Sequence, residues 1–176
     1  MRSDRGQIIF LIGMPAVGKT WWGQRVAAAA GWQFIDLDQY IEQQEGRTVQ
    51  AIFEHDGQQR FRELEHMYLE AILRQTVTDT IVACGGGTPV FNNNMQLMKE
   101  WGTVVYLQSS VSYLLTHLHE ADAQRPLLKG KNIETFLTEL LQEREPVYNQ
   151  AHYILQATNI SLTIFDKIIA SCTDRH

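Results

Sequence analysis

The sequence has few of the features that mark membrane, secreted or nucleic-acid-binding proteins. Among its 176 residues, no apolar run approaches the roughly 20 residues that a membrane-spanning helix needs. Only two cysteines are present, Cys84 and Cys172, and they have neither metal-ligand spacing nor enough partners for a disulfide framework. We therefore expect a reduced, cytoplasmic protein that does not act at a membrane.

An excess of positive charge is also absent, because the formal net charge is -5. Non-specific nucleic-acid binding depends on an excess of lysine and arginine, so no nucleic-acid partner is expected. Residues 1–6 are charged and polar, which is unlike a secretory signal peptide. The length suits one domain over residues 1–176 with a sizeable core, and we expect a monomer.

Short apolar runs alternate with amphipathic segments along the chain. The runs predict strands at 7–12, 32–37, 80–84, 103–107 and 152–155. Helices are predicted at 19–30, 39–44, 58–75, 95–101, 111–120, 133–148 and 161–171. The polar stretch 121–131 contains a proline and a glycine and predicts a loop. This alternation indicates an α/β protein with a mostly parallel sheet of about five strands.

A glycine-rich segment follows the first predicted strand and precedes the first predicted helix. Residues 13–20 fit the pattern G-x-x-x-x-G-K-[ST], in which backbone N–H groups and the helix start bind phosphate. Lys19 can reach the β and γ phosphates, and the Thr20 hydroxyl can ligate Mg²⁺. The segment therefore predicts a site for a nucleoside triphosphate. The residues assigned to it are Gly13, Ala16, Val17, Gly18, Lys19, Thr20 and Trp21.

Two aspartates, Asp36 and Asp38, lie at the end of the second predicted strand. If that strand persists, both side chains point toward the sheet edge where open α/β proteins bind ligands. One carboxylate can then hold Mg²⁺ through water, while the other accepts a hydrogen bond or a proton from a substrate hydroxyl. In the alternative interpretation, Asp38 is the N-cap of the helix 39–44 and Asp36 is an ordinary loop carboxylate.

Several short motifs follow the phosphate-binding segment in a fixed order. They are D-x-D at 36–38, F-R-x-x-E at 61–65, three glycines at 85–87, R-P-L-L at 125–128 and R-x-P-x-Y at 144–148. Taken together, these motifs resemble the shikimate kinase family over residues 8–153. The resemblance implies a three-layer P-loop fold with a mobile lid at about 121–131 and a substrate-binding helical segment at about 38–75.

The same resemblance implies an activity, namely transfer of a phosphoryl group from ATP to the 3-hydroxyl of shikimate, a step in chorismate and aromatic amino acid biosynthesis. Asp38 would bind that hydroxyl and act as the candidate base. Asp36 would support Mg²⁺ together with Thr20. Lys19 and Arg125 would neutralise the charge of the moving phosphoryl group.

The resemblance assigns the acid group of shikimate to two arginines and a glycine turn. Arg62 and Arg144, with Gly85, Gly86 and Gly87, would hold it. A guanidinium group suits a bidentate grip on a planar carboxylate, and glycines let a ligand lie close to the backbone. Without the family, each arginine also fits a solvated helix face, and the glycines fit a turn between a strand and a loop.

Two other side chains have equally open interpretations. Glu65 lies three residues after Arg62 and either fixes its position or forms a surface pair worth a few tenths of a kcal/mol. Arg125 precedes Pro126, which keeps it out of helical geometry. It is either an arginine that closes over the phosphates or a surface residue of a flexible loop.

The chain departs from the family pattern near the nucleobase and at the start of the first helix. Family members usually carry an arginine shortly before R-P-L-L, but residues 114–124 contain none. His117 or His119 can stack on the base instead, or the base is held loosely and these histidines are ordinary solvated residues. Trp21 and Trp22 are expected to pack on their helix, and Trp21 can alternatively crowd the nucleotide. Two rival functions stay open: a kinase for gluconate or a nucleoside monophosphate, and a nucleotide-binding regulator without activity.

Overall fold

Five parallel strands form the central sheet of this computed structural model, which describes residues 5–118 and 132–173. The sheet order is β2-β3-β1-β4-β5, and every neighbouring pair is parallel. The predicted sheet of about five parallel strands is therefore confirmed. The strands are β1 (Ile8–Ile12), β2 (Gln33–Asp36), β3 (Thr80–Ala83), β4 (Thr103–Gln108) and β5 (Tyr153–Gln156).

Helices flank this sheet and complete the three-layer α/β architecture. The α-helices of the described residues are α1 (Lys19–Ala30), α2 (Leu37–Glu45), α3 (Val49–Gln75), α4 (Asn94–Trp101), α5 (Val111–His117), α6 (Ile133–Tyr148) and α7 (Leu162–Thr173). Short 3₁₀ turns lie at Thr88–Val90 and Ala157–Asn159. Within 5–118 and 132–173, none of the helices combines the length and apolar character needed to cross a membrane.

The hydrophobic core lies around the strands at the middle of the sheet. All of β1 is buried, as expected for a continuous apolar strand covered on both faces of a parallel sheet. Its neighbours β3 and β4 are buried at their central positions as well. The strand β5, at one edge of the sheet, alternates between half-buried and exposed residues, as expected for a strand with one covered face.

The long helix α3 is bent at one glycine. Gly57 has φ 82° and ψ 171°, which divides the segment into helical parts at 49–56 and 58–75. The second part coincides with the helix predicted from apolar spacing. The first part was not predicted, and it begins at Thr48, whose hydroxyl accepts a hydrogen bond of 3.1 Å from the backbone N–H of Ala51.

Candidate active site

A cleft of about 1030 Å³ opens where β1, β2 and β3 end. Its walls come from the phosphate loop, from the segment after β3, and from residues of helices α1, α2, α3, α5 and α6. The carboxyl edge of an open parallel sheet is the usual place for a ligand. The volume lies at the upper end of the roughly 300–1,000 Å³ typical of small-molecule sites.

The phosphate loop has the backbone that its sequence predicted. Ala16 and Gly18 have φ values of 66° and 101°, which curl the chain before α1 begins at Lys19. The ammonium group of Lys19 donates hydrogen bonds of 2.9 and 2.8 Å to the carbonyl groups of Gly13 and Met14, and it lines the cleft. The Lys19 ammonium group is thus held against the glycine-rich loop. A cation at such a loop, before the start of a helix, is an arrangement that binds phosphate.

The structure brings nearly all of the predicted nucleotide-binding residues to the cleft. Gly13 is the exception, because it does not line the cleft itself. It lets the loop leave β1 close against β4, since an added Cβ atom would lie 2.6 Å from the carbonyl oxygen of Leu107. The predicted residues that do line the cleft are Ala16, Val17, Gly18, Lys19, Thr20 and Trp21.

The predicted magnesium ligands, Thr20 and Asp36, are in direct contact. The Thr20 hydroxyl donates a hydrogen bond of 2.6 Å to Asp36 Oδ2. A hydroxyl oxygen and a carboxylate oxygen side by side are the ligand types that Mg²⁺ takes in phosphate sites, where phosphates and water fill the other positions. The residues described at 5–118 and 132–173 contain no cluster of three or more acidic, histidine or cysteine ligands.

The alternative interpretation, in which Asp38 caps the helix and Asp36 is an ordinary loop carboxylate, is wrong. Asp36, not Asp38, is the N-cap of α2, because its Oδ1 accepts a hydrogen bond of 3.2 Å from the Gln39 backbone. The condition that the strand persists through both aspartates is not met, since β2 ends at Asp36 and Asp38 lies in the first turn of α2. Both nevertheless line the cleft, so the helix turn replaces the strand in aiming Asp38.

Arg62 is buried, contrary to the solvated-face interpretation, because α3 packs this side of the helix into the protein. It forms an ion pair with Glu65, which is 1% exposed, so the surface-pair interpretation of Glu65 is wrong too. Three phenylalanine rings surround the guanidinium group, with centroids 4.6 to 6.0 Å from its central carbon. Such contacts stabilise a cation away from water. The rings belong to Phe53, Phe61 and Phe91.

Arg144 reaches the same part of the cleft from α6. It is 5% exposed, so the solvated-face interpretation is wrong for this arginine as well. One turn later on the helix, the buried Tyr148 hydroxyl donates a hydrogen bond of 2.5 Å to the carbonyl of Gly86. Burial raises the pKa of Tyr148 to about 12, so the hydroxyl keeps its proton and remains a donor at neutral pH. The R-x-P-x-Y motif thus supplies both an arginine and an anchor for the glycine turn.

Gly85, the first residue of the glycine turn, lies where two carboxylates meet. An added Cβ atom would be 2.9 Å from Glu65 Oε1 and 3.0 Å from Asp38 Oδ1. Its φ is not in the left-handed region, so the need for glycine is one of space and not of backbone conformation. The absence of a side chain here lets both carboxylates reach the cleft.

The next two glycines make room for the two arginines. A Cβ atom on Gly86 would lie 2.8 Å from Arg144 Nη1, and one on Gly87 would collide with the guanidinium group of Arg62. The three glycines are predicted from the sequence to lie in close contact with a ligand. The structure shows that site side chains already occupy the space that glycine leaves open.

Aromatic side chains from α1 and α5 also line the cleft. The rings of Tyr113 and His117 stack with centroids 4.1 Å apart and an angle of 19°. Trp21 is 53% exposed, and the guanidinium group of Arg25 lies 4.4 Å from its ring centroid. Trp22 packs on the ring of Phe165, as expected for a residue that supports its helix. Arg125, His119 and the predicted lid lie outside the described residues.

Comparisons with known proteins agree with this geometry. The family profile described as shikimate kinase matches residues 15–173. The chain belongs to the shikimate kinase family. It is therefore an ATP-dependent kinase that uses Mg²⁺, and the family assignment supports shikimate as its substrate over gluconate, a nucleoside monophosphate or a regulatory role without activity.

Individual members of the shikimate kinase family are similar over nearly their full length. Shikimate kinase from Phocaeicola vulgatus is 39% identical over 155 residues, which cover 86% of this chain and 87% of that protein. Shikimate kinase 2 from Yersinia enterocolitica is 36% identical over 171 residues, which cover 96% and 97%. The solved structure of shikimate kinase from Acinetobacter baumannii in complex with shikimate has a TM-score of 0.86 and 33% identity, and covers 96% of this chain and 95% of that one.

Sequence reasoning missed several residues that complete the site. Phe91 has no motif of its own, and its contact with Arg62 depends on the turn that follows the glycines. Tyr148 was part of a motif, but nothing in the sequence showed that its hydroxyl holds the Gly86 carbonyl. The stacked ring of Tyr113 could have been found only as the residue one helical turn before His117.

Proposed function

We propose a role for each of the described site residues in the phosphorylation of shikimate. In this proposal, Arg62 and Arg144 bind the carboxylate of shikimate. Two buried guanidinium groups from α3 and α6 converge on the glycine turn at 85–87, beside Asp38. This is the observation that carries the assignment, because two fixed cations at one place call for an anionic ligand. Glu65 neutralises only one of them.

Asp38 is the proposed partner of the hydroxyl that receives the phosphoryl group. Its Oδ1 lies beside Gly85, in the same cleft as both arginines and Lys19. An acceptor held by its carboxylate places its ring hydroxyls on the side toward the phosphate loop. Asp38 then accepts a hydrogen bond from the reacting hydroxyl, orients it and takes its proton as the oxygen attacks phosphorus.

Charge neutralisation is the proposed task of the phosphate loop and its neighbours. Mg²⁺ bound with ATP would offset phosphate charge, and Thr20 with Asp36 would hold it. Lys19 presents its ammonium group at the same loop, where it stabilises the charge that develops on the transferring group. Arg125 is proposed as a second cation for that charge from the segment 121–131, which is proposed as the lid.

The nucleobase is proposed to lie on the Tyr113–His117 pair. The γ phosphate must face the acceptor, so the rest of the nucleotide extends away from Asp38 toward the remaining wall of the cleft. That wall contains His117, Trp21 and Ala157. One face of the His117 ring is covered by Tyr113, and the exposed ring offers its other face for stacking.

Domain organisation, oligomeric state and location follow as further parts of this proposal. We propose that residues 1–176 form one kinase domain, with 38–75 as its substrate-binding segment, and that it works as a monomer without a nucleic-acid partner. A cytoplasmic location is supported by Cys84 and Cys172, which are both free thiols. Burial raises the pKa of Cys84, so this thiol stays protonated and unreactive.

Release of ADP by the purified protein tests the proposed reaction. The assay contains ATP and Mg²⁺, with shikimate, gluconate or AMP as acceptor, and the product is identified by its phosphorus position. We expect ADP release that depends on shikimate alone and yields the 3-phosphate. ATP binding without any dependence on shikimate would leave the P-loop fold standing and contradict the assignment of the acceptor.

A further inference from the structure

A buried chain of hydrogen bonds extends from the acceptor site into the segment behind it. Glu65 uses Oε2 for its ion pair with Arg62. Its other oxygen, Oε1, accepts a hydrogen bond of 2.6 Å from the hydroxyl of Thr88, the first residue of the 3₁₀ turn Thr88–Val90. The Thr88 residue has no solvent exposure. Both oxygens of the carboxylate are therefore engaged, one by the site arginine and the other by a residue outside the motifs.

Asn94, which has no solvent exposure either, connects Thr88 back to α3. Its side-chain amide donates a hydrogen bond of 2.9 Å to the Thr88 carbonyl. The amide oxygen faces Nδ1 of His66 at 2.6 Å, and His66 directly follows Glu65 in α3. The contacts close a ring from Glu65 through Thr88 and Asn94 to His66. A closed ring of this kind restricts each member to one rotamer.

We propose that Thr88 and Asn94 are positioning residues that set the acceptor affinity by fixing Glu65, and through it Arg62. A carboxylate with only one engaged oxygen can rotate about its last side-chain bond. The Thr88 hydroxyl prevents this rotation and keeps Oε2 turned toward the guanidinium group. Arg62 is then held in one orientation before any ligand arrives, so less conformational freedom is lost on binding.

The placement of this ring explains why a hydroxyl stands at position 88. The Thr88 oxygen would lie 3.1 Å from a Cβ atom on Gly85, next to the positions of Glu65 Oε1 and Asp38 Oδ1. A hydroxyl donor at this point offsets negative charge where two carboxylates approach the same glycine. The inference rests on the proposed function, because it assigns Arg62 to the acceptor.

Calorimetric titration of the nucleotide-free protein with shikimate tests the inference. Thr88→Val removes the hydroxyl while keeping the branched shape, and we expect shikimate affinity to fall about fivefold or more. The KM for ATP should stay unchanged, and kcat should stay within about twofold. Thr88→Ser keeps the hydroxyl and should retain wild-type affinity. If Thr88→Val is too unstable to purify, Thr88→Ala compared with Thr88→Ser isolates the hydroxyl in the same way.

Thr80→Val is the matched control for lost stability. Thr80 is as buried as Thr88, but it lies at the start of β3, and its hydroxyl donates to the backbone carbonyl of Thr78. We expect this variant to lose stability without losing shikimate affinity. Equal shikimate affinity of Thr88→Val and wild type, or an equal loss in Thr80→Val, would overturn the inference.

A double-mutant cycle with Arg62→Ala shows whether Thr88 acts through the arginine. In that background, Thr88→Val should cause no further loss of shikimate affinity, because the group that it positions is gone. A loss of the same size in both backgrounds would overturn the positioning role. Failure of the wild-type protein to bind shikimate would instead overturn the proposed function, and this inference with it.

Discussion

In the part of the cleft proposed to bind the acceptor, Arg62 and Arg144 are buried, whereas in the part proposed to bind the nucleobase the rings of Trp21 and His117 are exposed. We call these two parts the acceptor end and the nucleobase end. The acceptor end is also sterically constrained, because a side chain on any glycine of 85–87 would meet a site residue. The nucleobase end has stacking surfaces without such a constraint. The two ends of one cleft therefore differ in how much of their geometry is set before binding.

This difference indicates where the enzyme selects its substrate. Fixed buried cations reject an acceptor that lacks a carboxylate, because they would be left without a counter-charge beyond Glu65. Stacking on an aromatic ring accepts any flat base and contributes little discrimination. We therefore expect strict selection of the acceptor and loose selection of the nucleobase.

Asp38→Asn should cause the largest loss, because it removes the proposed base while keeping the shape of the side chain. We expect kcat to fall about 10²- to 10⁴-fold, the usual contribution of general-base catalysis. Shikimate affinity measured without nucleotide should change little. A loss of kcat below about tenfold would show that Asp38 positions the hydroxyl but does not take its proton.

Arg62→Ala should weaken acceptor binding and leave the nucleotide end untouched. A hydrogen bond to a charged group is worth about 1.5 to 3 kcal/mol, so the KM for shikimate should rise about 10- to 150-fold. Arg60→Ala is the matched control, since Arg60 lies on the same helix but is exposed and pairs with the exposed Glu63. Equal effects of the two substitutions would contradict the assignment of Arg62.

Tyr148→Phe tests the anchor of the glycine turn. Loss of the hydrogen bond to the Gly86 carbonyl should cost about 1 kcal/mol and weaken shikimate binding about fivefold. Tyr153→Phe provides the control, because the Tyr153 hydroxyl contacts Ser171, which does not line the cleft. If titration calorimetry finds no difference between these variants, the turn does not depend on Tyr148.

His117→Ala should have the smallest effect and should act only on the nucleotide. Loss of one stacking surface worth about 0.5 to 1.5 kcal/mol predicts a rise of about 2- to 12-fold in the dissociation constant of ADP. Binding of inorganic triphosphate, which has no base, should not change. His55→Ala, at an exposed position on α3, serves as the control. A parallel loss for triphosphate would place His117 at the phosphates instead.

Much of the fold was predictable because strands and helices alternate with clear apolar periods. All five strands and the phosphate loop were found at nearly their true positions. The helical part at 49–56 was missed, since its start depends on the cap at Thr48 and its end on the backbone of Gly57. Each of these effects depends on a single residue, so it is not visible in the spacing of apolar residues from which helices are predicted.

Site residues that belong to a sequence motif could be predicted. The roles of residues that depend on tertiary contacts could not. Both arginines were found, but their burial follows from packing by the phenylalanines and from the space left by the glycines. The choice between Asp36 and Asp38 as helix cap depended on where β2 ends, which no motif specifies. Thr88 belongs to no motif, because its role arises only when α3 and the glycine turn are brought together.

Calorimetric comparison of shikimate with its methyl ester shows whether buried Arg62 and Arg144 select the acceptor by its carboxylate before the nucleotide binds. We expect shikimate to bind the nucleotide-free protein and the uncharged ester to bind at least about tenfold more weakly. Equal affinities for the acid and the ester would contradict this expectation, because the two arginines would then play no part in recognising the carboxylate.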